Sequence, residues 1–197
     1  MAEPTKKHRG LLIVLCGPSG VGKSTISRML ETRMDISYTV SATTRIKKPQ
    51  DEDGKRYDHI TREEFFRRLD NDDFLEYAQV YDDYYGTPKH PALGYLEAGK
   101  DVLLEIDVQG ALQVRYQYPD ALEIFILPPN RQALIQRLND RGRDSDEDIS
   151  KRFRAARREV GMAKGSRAFD YFVFNDDLER AVGEIMNIIN NERAGGI

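Results

Sequence analysis

Nine residues near the amino terminus, GPSGVGKST at 17–25, combine three glycines with a lysine and three small hydroxyl side chains. They satisfy the pattern G-x-x-x-x-G-K-[ST], in which the glycines let backbone N–H groups approach an anion closely. Lys23 can reach the β- and γ-phosphates of a nucleotide, and the Ser24 hydroxyl can coordinate Mg²⁺. The segment predicts a nucleotide phosphate-binding loop made of Gly17, Pro18, Ser19, Gly20, Val21, Gly22, Lys23, Ser24 and Thr25.

The phosphate-binding loop does not define a reaction, because kinases, motor proteins and switch GTPases share it. A switch GTPase would carry an N-K-x-D motif that reads the base, and the sequence contains none. Motor and AAA-type ATPases usually have a longer chain than these 197 residues. These observations predict phosphate binding and leave the reaction open.

Two acidic residues, Glu105 and Asp107, close the apolar run LLEID at 103–107. Alternation along a strand places both on the same face, and the carboxyl end of a parallel strand faces the ligand-binding edge of the sheet. Asp107 could hold Mg²⁺ through water or contact a sugar hydroxyl. The alternative is a pair of solvated acids at a strand end.

A second set of polar and cationic side chains between residues 41 and 87 suits another anionic ligand. Arginine offers a planar fork that matches a phosphate, and lysine supplies a point charge. Glu76 among these cations needs its own donor, and guanine presents adjacent N1–H and N2–H₂ groups, whereas adenine presents an acceptor at N1. Singly, each residue could equally be a solvated charge or a turn residue; the full set is Ser41, Arg45, Lys48, Tyr57, Glu76, Tyr85 and Thr87.

Short β-rich runs alternate with helical patterns, which predicts an α/β fold: a P-loop-type parallel sheet flanked by helices. We expect strands over 11–16, 36–42, 74–81, 101–108, 121–127 and 171–174, and helices over 22–34, 61–69, 128–141, 145–164 and 178–191. Thr61 with Glu64, and Ser145 with Asp148, have the spacing of capping boxes. The polar stretch 43–57 has no apolar period and predicts a loop.

Composition restricts the function classes further. The net charge of −3 argues against general affinity for nucleic acid. The single cysteine, Cys16, rules out an intramolecular disulfide and suits a reducing compartment. The longest apolar run, 11–16, is too short to span a bilayer. We therefore expect a cytoplasmic enzyme that has neither a nucleic-acid nor a membrane partner.

Taken together, seven segments resemble the guanylate kinases, which phosphorylate GMP with ATP. They lie between the first strand and the last helix, so the resemblance covers essentially the whole chain. The segments are GPSGVGKST (17–25), SATTR (41–45), DGKRYDHIT (53–61), FLEYAQVYDDYYGT (74–87), LLEIDVQGA (103–111), RLNDRGRDS (137–145) and FNDD (174–177).

The resemblance implies reversible, Mg²⁺-dependent transfer of the ATP γ-phosphoryl group to GMP, giving ADP and GDP; whether dGMP is also accepted is left open. It assigns the GMP phosphate to Arg45, Lys48, Tyr57 and Tyr85, the guanine to Ser41, Glu76 and Thr87, and the ribose and Mg²⁺ end to Glu105 and Asp107, with Ser24 as a second metal ligand. The catalytic cations would be Lys23, Arg45, Arg141 and Arg152, and Asn175 would lie near the adenine of ATP.

The family usually has arginine at the position of Lys48, so the resemblance implies a modestly weaker grip on GMP here. It also implies one domain over 1–197, with a core of about 10–35, 92–136 and 167–197, a GMP-binding subdomain of about 36–91 and a lid of about 137–166. Both the subdomain and the lid would close over substrate.

Two other readings remain open at the level of the sequence. One is a kinase of the same architecture that acts on a phosphorylated sugar, which would have no use for Glu76. The other is a non-catalytic interaction module of guanylate-kinase type; such modules generally have an eroded phosphate loop, whereas this loop is complete.

Overall fold

The computed structural model describes residues 9–47, 56–139 and 146–195. Its strands are β1 Leu12–Cys16, β2 Ile36–Tyr38, β3 Ser41–Thr43, β4 Tyr57–His59, β5 Phe74–Val80, β6 Asp83–Pro88, β7 Asp101–Glu105, β8 Leu122–Leu127 and β9 Tyr171–Phe174. Its helices are α1 Lys23–Arg33, α2 Arg62–Asp70, α3 Lys89–Glu97, α4 Val108–Gln117, α5 Arg131–Asn139, α6 Asp146–Ser166 and α7 Leu178–Arg193.

Five strands form a parallel sheet in the order β2-β7-β1-β8-β9. Ile13 is the register partner of Leu122, and Ile124 is the partner of Tyr171. Every residue of β1 and β8 is buried. Strands covered on both faces read as nearly continuous apolar runs, which is why the sequence shows LIVLC and LEIFIL rather than alternation.

The chain divides into two compact units. One contains the described residues up to Leu12 and those from Asp35 to Leu104; the other contains Ile13–Met34 and the described residues from Glu105 onward. No helix in the described ranges is long and apolar enough to cross a membrane.

The unit that begins at Ile13 is held together by β1, β8 and β9 and by helices packed on them. Helix α7 contacts β8, β9 and α1. Its buried residues recur at helical spacing, with Ala181, Val182, Ile185 and Ile189 on one face. The Asp177 side chain caps this helix by accepting a hydrogen bond from the Arg180 N–H at 2.8 Å.

The unit that includes residues 35–104 has its own mixed sheet, in the order β4-β3-β6-β5. Its small core is aromatic: the Phe65 ring stacks on the Phe74 ring with centroids 4.7 Å apart, and Ala42 and Tyr84 pack against the pair. Helix α2 begins where the Thr61 side chain accepts from the Glu64 N–H at 3.2 Å, as the capping pattern predicts.

Two strand predictions are wrong in extent. The run 36–42 is two strands, because β2 pairs with β7 whereas β3 pairs with β4 and β6 in the other sheet. The strand predicted over 101–108 ends at Glu105, and the Asp107 side chain then caps α4.

Sequence patterning also missed β4, β6, α3 and α4, whose apolar periodicity is weak. The residues 48–55, 140–145 and 196–197, including Ser145, lie outside the described ranges.

A buried acid lies near the start of strand β8. Glu123 on β8 is fully buried, and neither of its carboxyl oxygens accepts a hydrogen bond from the described residues. The Arg115 guanidinium lies 3.7 Å away but donates instead to Asp170 at 2.6 Å. Burial raises the pKa of Glu123 to about 8; the Arg115 charge opposes this rise and the Asp170 charge adds to it.

Glu123 therefore makes the fold less stable as the pH rises. Between its ordinary pKa of 4.5 and about 8 the native state holds a proton that the unfolded chain releases. The free energy of unfolding should then fall by up to about 1.4 kcal/mol per pH unit in that window. We expect the Glu123→Gln variant to lose this slope and to be more stable than the parent above pH 8. Urea unfolding at pH 5, 6, 7 and 8.5 measures it.

The matched control is Glu97→Gln, an exposed acid on α3, which should keep the parent's slope. Equal slopes for the parent and the Glu123→Gln variant would contradict the protonated state of Glu123.

Candidate functional site

The loop between β1 and α1 has the backbone that its glycines predict. Gly17, Gly20 and Gly22 have φ of 150°, 86° and 102°. A Cβ on Gly17 would lie 2.6 Å from the carbonyl oxygen of Ile126, so only glycine fits there. Gly22 forms the N-cap of α1. The loop thus directs backbone N–H groups and a helix amino terminus to one place, an arrangement that favours an anion.

Lys23 is the first residue of α1 and its side chain folds back over the loop. Its ammonium group donates hydrogen bonds to the carbonyl oxygens of Gly17 and of Pro18, the latter at 3.3 Å. The amino group is therefore held above the glycine-rich turn, where a phosphate bound by the loop would meet it.

Two serines of α1 hold Glu105, the last residue of β7. The Ser24 hydroxyl donates to Glu105 Oε1 at 2.5 Å, and the buried Ser27 hydroxyl donates to Oε2 at 3.1 Å. Hydroxyl and carboxylate oxygens are the protein ligands that Mg²⁺ prefers. The described residues contain no group of three or more His, Cys, Asp or Glu placed to hold a metal ion. The donor set suits a cation shared with phosphates, because such sites use only one or two protein oxygens.

Asp107 has a structural task in addition to the predicted one. Its Oδ1 accepts from the Gly110 N–H at 2.9 Å, which caps α4, and its Oδ2 accepts from the Gln109 amide at 3.0 Å. The capping bond fixes the carboxylate at the carboxyl end of β7, so Glu105 and Asp107 follow one another at the same sheet edge. Their assignment to ribose and Mg²⁺ stays a prediction.

One further acid near the loop was not predicted. Glu159 on α6 lies close enough to Lys23 and Asp107 for both charges to affect its pKa. Burial raises that pKa to about 7, Lys23 lowers it and Asp107 raises it. The sequence placed Glu159 in the basic run RFRAARRE (152–159), and no local pattern distinguishes it from the solvated charges around it.

In the other unit, three of the residues predicted to hold the GMP phosphate lie together: Arg45, Tyr57 and Tyr85. The rings of Tyr57 and Tyr85 meet edge to face with centroids 5.8 Å apart, and the Arg45 guanidinium lies 5.4 Å from the Tyr57 ring centre. Burial raises the pKa of Tyr85, while the charge of Arg45 and a hydrogen bond with Thr43 lower it. Ser41 on β3 is the register partner of Tyr57 on β4, and the Ser41 residue is 7% exposed.

Glu76 and Thr87 form a buried pair across β5 and β6. Thr87 donates to Glu76 Oε1 twice, from its backbone N–H at 3.1 Å and from its hydroxyl at 2.6 Å. Both residues are almost fully buried, at 4% and 1% exposed. The register of β5 shifts between Phe74 and Glu76, so a local irregularity of the strand accompanies the inward-facing acid.

The remaining predicted residues have mixed outcomes. Asn175 is buried behind the phosphate-binding loop and its side-chain amide donates to the Val21 carbonyl at 2.7 Å. Arg152 lies on α6, partly buried. Lys48 and Arg141 lie outside the described residues, so their roles stay predictions. Of the predicted set, the structure therefore places the glycine-rich loop in one unit, and a tyrosine–arginine cluster with an acid–threonine pair in the other.

Comparison with known proteins agrees with this geometry. The guanylate kinase family model matches residues 9–192. The chain is 47% identical to a guanylate kinase of Caldanaerobacter subterraneus subsp. tengcongensis over 95% of this chain and 90% of that protein, and 44% identical to one of Carboxydothermus hydrogenoformans over 94% and 90%. The chain belongs to the guanylate kinase family.

The fold of a solved guanylate kinase extends over nearly the whole chain. The crystal structure of guanylate kinase from Anaplasma phagocytophilum has a TM-score of 0.78 to this chain at 31% identity, and the match covers 94% of this chain and 87% of that one. The membership in the guanylate kinase family that the seven motifs predicted is thereby confirmed, as is the α/β fold class with its parallel sheet.

Proposed function

We propose that this member of the guanylate kinase family transfers the γ-phosphoryl group of ATP reversibly to GMP, giving ADP and GDP. The observation that carries the choice of acceptor is the buried Glu76 carboxylate, oriented by two hydrogen bonds from Thr87. A carboxylate can pair with the adjacent N1–H and N2–H₂ donors of guanine, whereas adenine presents an acceptor at N1. A phosphorylated sugar offers no comparable pair.

The acceptor phosphate needs positioning more than activation. A GMP phosphate is already ionised at neutral pH, so no strong general base is required, and catalysis consists of alignment and charge stabilisation. Arg45 and the Tyr57 and Tyr85 hydroxyls would hold the acceptor phosphate, with Ser41 and Thr87 completing the guanine contacts. We also propose that Lys48, Arg141 and Arg152 add cationic contacts as the family pattern implies.

The donor is bound by the phosphate-binding loop in this proposal. Backbone N–H groups of residues 17–25 hold the phosphates, and Lys23 compensates the charge that spreads over the transferred group. Ser24 would hold Mg²⁺, Glu105 would orient the Ser24 hydroxyl, and Asp107 would contact the ion through water. The bound ion would neutralise oxygens of the β- and γ-phosphates.

A panel of acceptors tests the proposal. We expect Mg²⁺-dependent ADP release from ATP with GMP in a coupled assay, and at least a hundredfold lower kcat/KM with AMP, CMP and UMP, because a buried acceptor group rejects bases that leave it unpaired. EDTA should abolish turnover. ADP release with a sugar phosphate but not with GMP would support the rival kinase, and no release with any acceptor would support an interaction module.

The location and the range of acceptors extend the proposal. We propose a cytoplasmic enzyme that accepts dGMP as well as GMP, since the free thiol of Cys16 suits a reducing compartment and the proposed guanine and phosphate contacts do not involve the 2′-hydroxyl. Activity with dGMP in the same assay checks the second part.

A further inference from the structure

The carbonyl oxygen of Val21, inside the phosphate-binding loop, accepts hydrogen bonds from two distant side chains. The Asn175 amide nitrogen donates to it at 2.7 Å, and the Arg137 guanidinium donates at 3.2 Å. The same guanidinium donates to the Asn175 carbonyl oxygen at 2.8 Å. Asn175 follows β9 and Arg137 lies in the last turn of α5, so two separate elements meet at one peptide group of the loop.

Asn175 is itself firmly placed. Its backbone N–H donates to the Leu127 carbonyl at 2.8 Å, which continues the pairing of β8 with β9 by one residue. Its side chain is 4% exposed. A buried amide that makes a short bond to a loop carbonyl has little freedom to reorient toward a base.

The peptide that these donors hold leads into Gly22, a position of the loop that only glycine can occupy without strain. Gly22 has φ of 102° and is the N-cap of α1, and a Cβ there would lie 2.6 Å from the Asn175 amide nitrogen. Fixing the Val21 carbonyl fixes the orientation of the Val21–Gly22 peptide, because that group is planar. The N–H of this peptide belongs to Gly22 and points opposite to the carbonyl.

We infer that Arg137 and Asn175 form a latch that positions the phosphate-binding loop through the Val21 carbonyl, and that Asn175 acts through the loop rather than by reading the adenine. The latch sets the direction of a backbone N–H in the anion-binding turn, so it affects every ligand with a polyphosphate regardless of its base. This inference deepens the proposed function, because it concerns the donor site of the same enzyme.

Inorganic tripolyphosphate separates the two roles, since it has phosphates but no base. We would measure the binding of ATP and of tripolyphosphate by calorimetry for the parent and for Asn175→Leu, which keeps the volume and removes the amide donor. The latch predicts that both affinities fall by a similar factor, at least about tenfold, because small misplacements of a binding group have large effects. GMP affinity should not change.

A loss confined to ATP, with tripolyphosphate affinity retained, would show that Asn175 reads the base and would overturn the latch. Unchanged affinity for both ligands would overturn it as well. If Asn175→Leu does not fold, Arg137→Lys decides: it keeps the charge but loses the planar fork, and the latch predicts a parallel, smaller loss for both ligands. If Arg137→Lys binds both ligands as tightly as the parent does, the latch is overturned.

The matched control is Arg33→Gln, which removes an exposed ion pair between α1 and α7 at 2.6 Å and should leave both affinities unchanged. The outcome also distinguishes the latch from the proposed function. A parent that binds ATP and tripolyphosphate but does not phosphorylate GMP would overturn the proposed reaction alone, whereas a parent that binds neither ligand would overturn both.

Discussion

Replacing Glu76 by glutamine is expected to lower kcat/KM for GMP on the order of 10²–10³-fold, while the affinity for ATP stays within about twofold of the parent's. The reason is the direction of the hydrogen bonds. In the parent, Thr87 donates twice to Oε1, which orients the carboxylate. If the glutamine oxygen keeps those two bonds, its amide nitrogen takes the other position and presents a donor to the guanine N–H groups.

Steady-state kinetics with GMP and calorimetry with ATP test this prediction together. Glutamine has nearly the same shape as glutamate, and its side-chain oxygen can still accept both hydrogen bonds from Thr87. The variant should therefore fold, and thermal unfolding checks that it does. Glu97→Gln, an exposed acid of the same unit, is the matched control and should have the parent's kinetics. GMP kinetics within threefold of the parent's in the Glu76→Gln variant would refute the guanine assignment.

Conversion of Thr87 to valine adds an internal check, because it removes the 2.6 Å hydroxyl bond but keeps the 3.1 Å backbone bond to Glu76. Its effect on kcat/KM for GMP should have the same sign and be smaller.

The phosphate-binding loop could be predicted from sequence because its chemistry is local. The glycines, Lys23 and Ser24 lie within nine residues, and the strand before them and the helix after them follow from short-range patterning. The same holds for the capping of α2 by Thr61. Where one stretch of chain contains both the ligand-binding groups and the signals that fold it, sequence reasoning reaches the geometry.

The contacts that support the loop could not be predicted, because they join residues far apart in the chain. Val21 and Asn175 are 154 positions apart and meet only because of the order of the strands. Ser27 and Glu105 are 78 positions apart. No local pattern marks Ser27 or Arg137 as a partner of the loop, and each has the appearance of an ordinary helical residue.

The sequence did not predict the division of residues 36–42 into β2 and β3, and the reason is related. The run has the composition of one strand, and the chain leaves the parallel sheet at Val40, which is 37% exposed, before it enters the second sheet. Which sheet a short strand joins depends on partners that are distant in sequence. Glu123 shows the same limit, since its place inside an apolar run gave no indication of Arg115 and Asp170 beside it.

Lys23→Met should produce the other large effect, a decrease in kcat on the order of 10²–10³-fold with little change in KM for GMP. The ammonium group is held by the carbonyl oxygens of Gly17 and Pro18, within the loop that would bind the donor phosphates. In the proposed mechanism, removing it leaves the charge that develops on the transferred group without this cation. The described residues proposed to hold the guanine and the acceptor phosphate belong to the other unit, so the substitution does not change them: Ser41, Arg45, Tyr57, Glu76, Tyr85 and Thr87.

The split between kcat and KM separates this role from a structural one. Lys23→Arg is the informative partner variant: it restores the charge, but a planar fork cannot occupy the position of a compact ammonium, so we expect only partial recovery of kcat. Thermal unfolding of both variants should match the parent's, since Lys23 is partly exposed and its bonds lie within one loop. A kcat for Lys23→Met within tenfold of the parent's would refute the proposed role of Lys23 in stabilising charge on the transferred group. A loss of stability that parallels the loss of activity would instead assign Lys23 to the folding of the loop.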